Sequence, residues 1–243
     1  ASATRDSVRE MTRVTILVDN VARPGLNLMP EHGFSALVQR GSERILFDTG
    51  QGPALKHNPS SLGVEMSTLK AVVLSHGHYD HTGGLLHVVE TNPGIRVVAH
   101  PAIFSPHLKS TPSDPMLKSI GIPHTRETLE SRQAAFHLVS DVDEIAPGVW
   151  FTGTVPRVFP TMADERLKTL DRQCEIVDPL EDDCSLVLDT ASGPVLLLGC
   201  AHAGVRSILH HVRSRLGIDR VHAVIGGTHL GLSAPNETFR AIE

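Results

Sequence analysis

Cysteine is scarce in this chain of 243 residues, and Cys174, Cys184 and Cys200 are all it has. An odd number at uneven spacings gives no disulfide framework, so a reducing, cytoplasmic setting is expected. The fold must then rest on a buried core, which 40% hydrophobic residues can supply. Long apolar runs are missing: none approaches the roughly 20 residues that a membrane span needs. The opening Ala1-Ser2-Ala3-Thr4-Arg5-Asp6 has no apolar stretch of the kind an export signal carries, so neither export nor membrane attachment is expected. Aromatic residues make up only 4%, with seven Phe, one Tyr and one Trp, which leaves few rings to stack a flat ligand. Runs of Lys or Arg are absent and the net charge is −5, which argues against a dedicated nucleic-acid surface.

Histidine is plentiful instead, with 15 copies. Three of them and a carboxylate fall in His76-Gly77-His78-Tyr79-Asp80-His81, directly after the apolar run Ala71-Val72-Val73-Leu74. Ligands crowded onto the turn that leaves a strand can converge without long side chains having to be ordered. Imidazole nitrogens and a carboxylate oxygen are what a divalent ion such as zinc takes, and iron and manganese also suit such donors. Buried together with no cation, these groups would leave dipoles and a charge unpaired. The competing reading, a solvated His-rich loop, fits this spacing poorly.

Around the motif the chain reads as one large α/β domain. Strands are expected over 13–18, 34–38 and 44–47, the last two joined by a hairpin turn at Arg40-Gly41-Ser42-Glu43. A strand-helix-strand unit follows over 70–100, in which Gly83-Gly84 would let the backbone turn into a helix starting at Leu85. From 101 to 148, Pro106, Pro112, Pro115 and Pro123 break any long element, and the segment reads as a peripheral insertion forming one wall of a pocket. A strand at 149–152 precedes a charged, lid-like loop near 156–183. Strands at 184–188 and 195–198 form a second hairpin, 205–216 reads as an amphipathic helix stopped by Gly217, 221–225 as a strand, and 237–243 as the start of a helix. Both halves run strands, hairpin, His-bearing strand end, helix. That order suits two sheets packed face to face with helices outside.

Two more histidines follow apolar strands, each flanked by glycines that let the backbone bring an imidazole to a shared point. They are His202 in Gly199-Cys200-Ala201-His202-Ala203-Gly204 and His229 in Gly226-Gly227-Thr228-His229-Leu230. Cys200 reads either as a thiolate ligand or as a small buried apolar residue. Asp48, in Asp48-Thr49-Gly50, would cap the turn after its strand. His32 precedes a strand that should run beneath the site. Asp19-Asn20 and Asp182-Asp183 are candidate pocket residues, with exposed loop polars as the plainer reading. His87, His100, His107, His124, His137, His210, His211 and His222 have no convergent partner in the sequence and read as structural or solvated.

The His-x-His-x-Asp-His pattern resembles that of the metallo-β-lactamase superfamily, and the resemblance extends over nearly the whole chain from Arg13. It implies the αββα sandwich as a single domain over 1–243, with the metals at one edge. It also implies that His76, His78 and His202 hold one ion and that Asp80, His81 and His229 hold a second. Asp48 would then lie beneath the site and orient a ligand histidine. Cys200 would stand where relatives place a bridging Asp or, less often, a Cys. The segments Glu31-His32-Gly33-Phe34-Ser35, Phe47-Asp48-Thr49-Gly50, Thr152-Gly153-Thr154-Val155-Pro156-Arg157, Asp182-Asp183 and Gly199-Cys200-Ala201-His202 are similar to one branch, the dihydropterin–ribofuranosylaminobenzene phosphate synthases. That branch also leads one to expect a His-Cys-Thr-Gly segment after the last histidine motif, which these 243 residues do not contain. The His-Pro-Gly-His pattern of lactonases and glyoxalases is absent as well, leaving His202 to complete the first metal site.

These readings lead to a hydrolase with one or two divalent ions, zinc the expected one, acting on an ester, lactone or phosphoester bond of a small molecule. Asp80 would act as base if only one ion binds. Two alternatives stand beside it: transfer of a pterinylmethyl group from a diphosphate-activated substrate, as the branch implies, and a non-catalytic, metal-stabilised ligand-binding protein.

Overall fold

The computed structural model describes residues 11–111, 113–160, 164–171 and 174–230, so the helix expected at 237–243 lies outside the described residues. In chain order the elements are β1 (Thr12–Val18), β2 (Ser35–Arg40), β3 (Glu43–Phe47), α1 (Pro53–Ser61), β4 (Ala71–Val73), α2 (Tyr79–Thr82), α3 (Leu85–Thr91), β5 (Arg96–Ala99), β6 (Leu108–Thr111) and β7 (Asp114–Ser119). They continue with α4 (Arg126–Ser131), β8 (Ala135–Leu138), β9 (Asp143–Ala146), β10 (Val149–Phe151), β11 (Leu167–Asp171), β12 (Cys174–Val177), β13 (Ser185–Leu188), β14 (Val195–Leu198), α5 (Val205–Leu216) and β15 (Ala223–Gly226).

Side-chain alternation explains the layers. The first sheet runs β1-β2-β3-β4-β5-β8 and the second β15-β14-β13-β10-β9. From the first sheet Ile45, Phe47, Ala71, Val73 and Val98 point inward against Phe151, Leu186, Leu188 and Leu197 of the second, which makes the central core. The neighbours in register, Leu46, Val72 and Val97, point outward and are covered by Leu55 of α1, Leu85 and Val88 of α3 and Leu129 of α4. On the far side Val187, Leu196 and Leu198 are covered by Val205, Ile208 and Val212 of α5. These four layers are the expected αββα sandwich. α5 ends, as its sequence predicts, on Gly217 in the left-handed region at φ 68.

Three departures from the sequence reading bear on the site. Gly83 and Gly84 do not make a sharp turn, since Gly84 sits at φ −81 and Gly83 at φ −63 in right-handed helical geometry. They are small because Thr49 and Gln51 crowd them: a Cβ on Gly84 would fall 2.4 Å from the Thr49 carbonyl oxygen. The prolines of 101–148 do not prevent strands. Pro115 lies within β7, at the edge of its sheet, where a missing donor costs little. Finally, 156–183 carries the β11–β12 hairpin, which pairs with β6 to build a third sheet in the order β12-β11-β6-β7. Parts of two segments read separately in the sequence therefore form one accessory sheet, while the rest of 101–148 is not a peripheral insertion: β8 joins the first main sheet and β9 the second.

Candidate metal centre

Strands β3 and β4 are parallel, as are β14 and β15, so their carboxyl ends open at the same edge of the sandwich. Asp48 leaves β3, the His76–His81 segment leaves β4, Cys200 and His202 leave β14, and His229 leaves β15. The two sheets are stitched there by Cys184 N–H donating to the Ser75 carbonyl at 2.8 Å, while Gly227 N–H, donating to the Gly199 carbonyl at 2.9 Å, extends the β14–β15 pairing past the strand ends. Gly199 is needed for the close approach: a Cβ there would fall 2.1 Å from Ser75 Oγ.

The imidazoles converge. His76 Nε2 lies 3.1 Å from His78 Nδ1. The His202 ring centroid is 4.9 Å from that of His76, 5.1 Å from His78 and 4.5 Å from His229. Burial, and then the neighbouring rings, push His76, His78 and His202 well below the ordinary histidine range, and burial lowers His229 as well. These rings are therefore neutral and each carries a lone pair. The buried Nε2 atoms of His78 and His202 have no hydrogen-bond partner. Such orphans cost about 1–3 kcal/mol each unless something supplies the missing partner. A cation does so, and the donor set fits a divalent ion: His76, Cys200 and His202 each present a ligand atom within 4.8 Å of the other two.

His81 faces the same space and is held from behind. Its Nδ1 lies 2.7 Å from Asp48 Oδ2, and its Nε2 lies 3.1 Å from Cys200 Sγ. Asp48 does not cap the turn after its strand. Its fully buried carboxylate instead accepts the Ser75 amide at 2.7 Å and the Ser75 hydroxyl at 2.7 Å. Burial raises the Cys200 thiol, and His81 offsets this only in part. Asp80 stands on the short helix α2 with Oδ2 3.7 Å from His81 Nε2 and 3.3 Å from His32 Nε2. Its backbone fixes the His32 loop: the Phe34 amide donates to the Asp80 carbonyl at 3.3 Å. Gly33, at φ 128, has no room for a Cβ, which would lie 2.0 Å from the Asp80 carbonyl oxygen.

His32 and Asp19 lie at the mouth. His32 Nδ1 is 2.9 Å from Asn20 Oδ1, and the Asp19 carboxylate accepts the Asn20 amide at 2.7 Å. Both residues line a cleft of about 300 Å³ whose walls include Ile16, Phe34, Ile225, Asp80, His81 and Cys200. Asp182 and Asp183 are buried rather than solvated. Asp182 Oδ2 accepts the Gly77 amide at 2.7 Å and Asp183 Oδ2 the Ala203 amide at 2.8 Å, so adjacent carboxylates grip the two ligand-bearing loops.

Burial raises Asp183 to about 7. An acid whose folded value exceeds its unfolded one, near 3.9, binds more protons folded than unfolded between the two. The metal-free protein should therefore lose stability as pH rises from about 4 to about 7, by on the order of 3–4 kcal/mol. Asp183→Asn keeps an acceptor for Ala203 and should flatten that slope. Urea midpoints measured across the range check this, and an unchanged slope in the variant would assign it elsewhere.

The sequence reading missed His107 and Asp178. His107 is no solvated or isolated histidine: it is buried, with Nδ1 2.6 Å from Asp178 Oδ2 and its ring 5.2 Å from that of His78. The two residues are 71 positions apart and meet only because β6 pairs with β11, so no local signal joins them. Of the remaining histidines, His100 Nε2 lies 2.8 Å from Thr154 Oγ1 and His211 Nε2 3.0 Å from the Thr152 carbonyl, both structural ties.

A sequence profile of the metallo-beta-lactamase superfamily matches residues 28–228, and the chain belongs to that superfamily. It is similar to the 7,8-dihydropterin-6-methyl-4-(beta-D-ribofuranosyl)-aminobenzene-5'-phosphate synthase of Methanocaldococcus jannaschii, being 29% identical over 235 residues that span 93% of this chain and 79% of the relative. An uncharacterized protein of the same organism is 30% identical over 231 residues, covering 95% of this chain and 84% of its own. Among solved structures, one described as a metal-dependent hydrolase of the beta-lactamase superfamily matches with a TM-score of 0.79 at 27% identity, over 96% of this chain and 83% of that one. The branch suggested by the motifs is thus met along nearly the full chain. No helix among the described residues is long and apolar enough to cross a membrane.

Proposed function

We propose that the protein is a metal-dependent hydrolase of small molecules carrying an ester, lactone or phosphoester bond. The observation that carries this reading is the group of neutral imidazoles with unpartnered buried nitrogens beside a cleft. His76, His78 and His202 would hold one ion, and Asp80, His81 and His229 a second, with the Cys200 thiol close to both sets. Zinc suits these donors best. When bound, such an ion supplies Lewis acidity, drawing charge from a substrate oxygen and bringing the pKa of a water toward about 7.

The chain's own residues do the rest. Asp48 commits the Nδ1 proton of His81, so that Nε2 of that ring is turned toward Cys200 and the cleft. Asp80 Oδ2, at the mouth, is the atom that takes a proton from the attacking water if a single ion is bound. Ile16, Phe34 and Ile225 give the cleft an apolar lining that orients the substrate's hydrocarbon part, while Asn20 and His32 order the polar rim.

Assays of metal-depleted protein on esters, lactones and phosphodiesters in isotopically labelled water test the reading. Turnover should return with added zinc, and one solvent oxygen should enter the product. Full turnover in the chelated protein would sink it. The similarity to the pterin-related synthase supports a second reading, group transfer, which needs two substrates and leaves solvent oxygen out of the product. A bound ion with turnover in neither assay would favour a binding protein.

A further inference from the structure

His107 sits between two buried carboxylates, Asp178 Oδ2 at 2.6 Å from Nδ1 and Asp182 Oδ2 at 3.3 Å from Nε2. The ring bridges them, hydrogen-bonded through Nδ1 to Asp178 and facing Asp182 with Nε2, a buried nitrogen that has no closer polar partner. Asp178 is fixed in turn by the Leu180 amide at 2.8 Å. On the other side, Asp182 Oδ2 accepts the Gly77 amide at 2.7 Å.

The main chain makes a second connection to the same place. The Ile120 amide donates to the His107 carbonyl at 2.9 Å, and the Tyr79 amide donates to the Ile120 carbonyl at 2.8 Å. The amides of the residues on either side of His78 are therefore both held, Gly77 by Asp182 in the loop after β12 and Tyr79 by Ile120 at the end of β7. The space is tight: a Cβ at Gly77 would come 2.7 Å from His107 Nε2. The His107 ring packs edge-on to His78 at an interplanar angle of 86°. His107 immediately precedes β6 and Asp178 follows β12, so only the pairing of the accessory sheet brings them together.

We propose that His107, with Asp178 behind it and Asp182 in front, is a positioning residue of the candidate metal centre: it holds Asp182 on the Gly77 amide and so fixes the backbone that carries His78. The accessory sheet is then part of the centre and not only a wall of the cleft. This rests on the metal reading above. Outer partners of this kind act on affinity and geometry without touching the ion.

The test compares His107→Gln, which keeps an N–H where Nε2 lies, with His107→Asn, which keeps one where Nδ1 lies. Ion affinity is read by competition with a chelator, ligand geometry by the visible spectrum of the cobalt-substituted protein, and folding by the thermal midpoint of the metal-free chain. The Gln variant should stay within about threefold of the parent, whereas the Asn variant should lose about 10–100-fold in affinity and shift the cobalt bands. Asp178→Asn, which keeps an acceptor for Nδ1, should fall between them.

Equal affinities and spectra in parent, Gln and Asn variants would overturn the proposal. Equal losses in Gln and Asn together with equal falls in thermal midpoint would also overturn it, because packing alone would then account for them. A parent chain that binds no ion would overturn the metal reading itself, and this inference with it.

Discussion

His202→Ala should bind zinc at least about a hundredfold more weakly than the parent and lose measurable turnover. Four-ligand zinc sites contribute roughly 10–16 kcal/mol, or about 2.5–4 kcal/mol per ligand, which is about two to three powers of ten in affinity. His202 is the candidate with the least to lose elsewhere, because its buried Nε2 makes no hydrogen bond. The informative readout is thus the gap between two thermal midpoints, with and without zinc. Ligand binding stabilises the folded chain by RT ln(1 + [L]/Kd), so a parent at a thousand times its Kd gains about 4 kcal/mol and a variant weakened a hundredfold only about 1.4 kcal/mol. His76→Ala should narrow the gap as well, although its Nδ1 lies 2.8 Å from Ser75 Oγ and the metal-free protein will weaken too. His137→Ala, an exposed ring beside Asp143, serves as the control and should leave the gap unchanged. A His202 variant with the parent's ion count and the parent's gap would remove that residue from the ligand set.

What the sequence made legible and what it hid have different physical origins. The sheets were readable because each strand buries one or both faces, which writes alternation or an apolar run into adjacent residues: Ile45 and Phe47 face one way, Leu46 the other. The candidate ligands were readable because a turn at a strand end packs His76, His78, Asp80 and His81 into six residues. The groups that steady those ligands come from other strands. Asp48 meets His81 across 33 residues, His107 meets Asp178 across 71, and Asp182 meets Gly77 across 105. No periodicity links such partners, because backbone pairing between distant strands creates the contact. The accessory sheet was hidden for the same reason, with β6 and β11 paired from segments that read as unrelated. Glu31 is a smaller case: it lies beside His32 in the sequence, yet its carboxylate accepts the Gln51 amide at 2.8 Å and the Ala54 amide at 3.0 Å at the start of α1.

Asp48 carries the second large effect, and its two substitutions should differ in kind. The residue is fully buried at φ 57, a left-handed conformation that Asp and Asn adopt at less cost than Ala. Asp48→Ala leaves the Ser75 amide, the Ser75 hydroxyl and His81 Nδ1 without an acceptor. At about 1–3 kcal/mol for each of three orphans, plus about 1 kcal/mol of backbone strain, the loss is at least about 4 kcal/mol, close to the whole stability of many domains. Little folded Ala variant should accumulate. Asp48→Asn keeps the shape and one oxygen, which can retain the Ser75 amide, while the new NH2 group faces Ser75 Oγ and His81 Nδ1. The hydroxyl can rotate to accept. The imidazole can accept only by moving its proton from Nδ1 to Nε2, the nitrogen that lies 3.1 Å from Cys200 Sγ and 3.7 Å from Asp80 Oδ2. That nitrogen then has no lone pair for an ion. The Asn variant should therefore fold with a loss of about 2 kcal/mol and keep its ion on the His76, His78 and His202 side. On the Asp80, His81 and His229 side it should bind at least about tenfold more weakly. Nitrogen NMR of the His81 ring reports the tautomer directly, and metal analysis reports the ion count. A folded Asn variant with an unchanged tautomer and the parent's ion count would mean that Asp48 supports the turn and leaves the ligand alone.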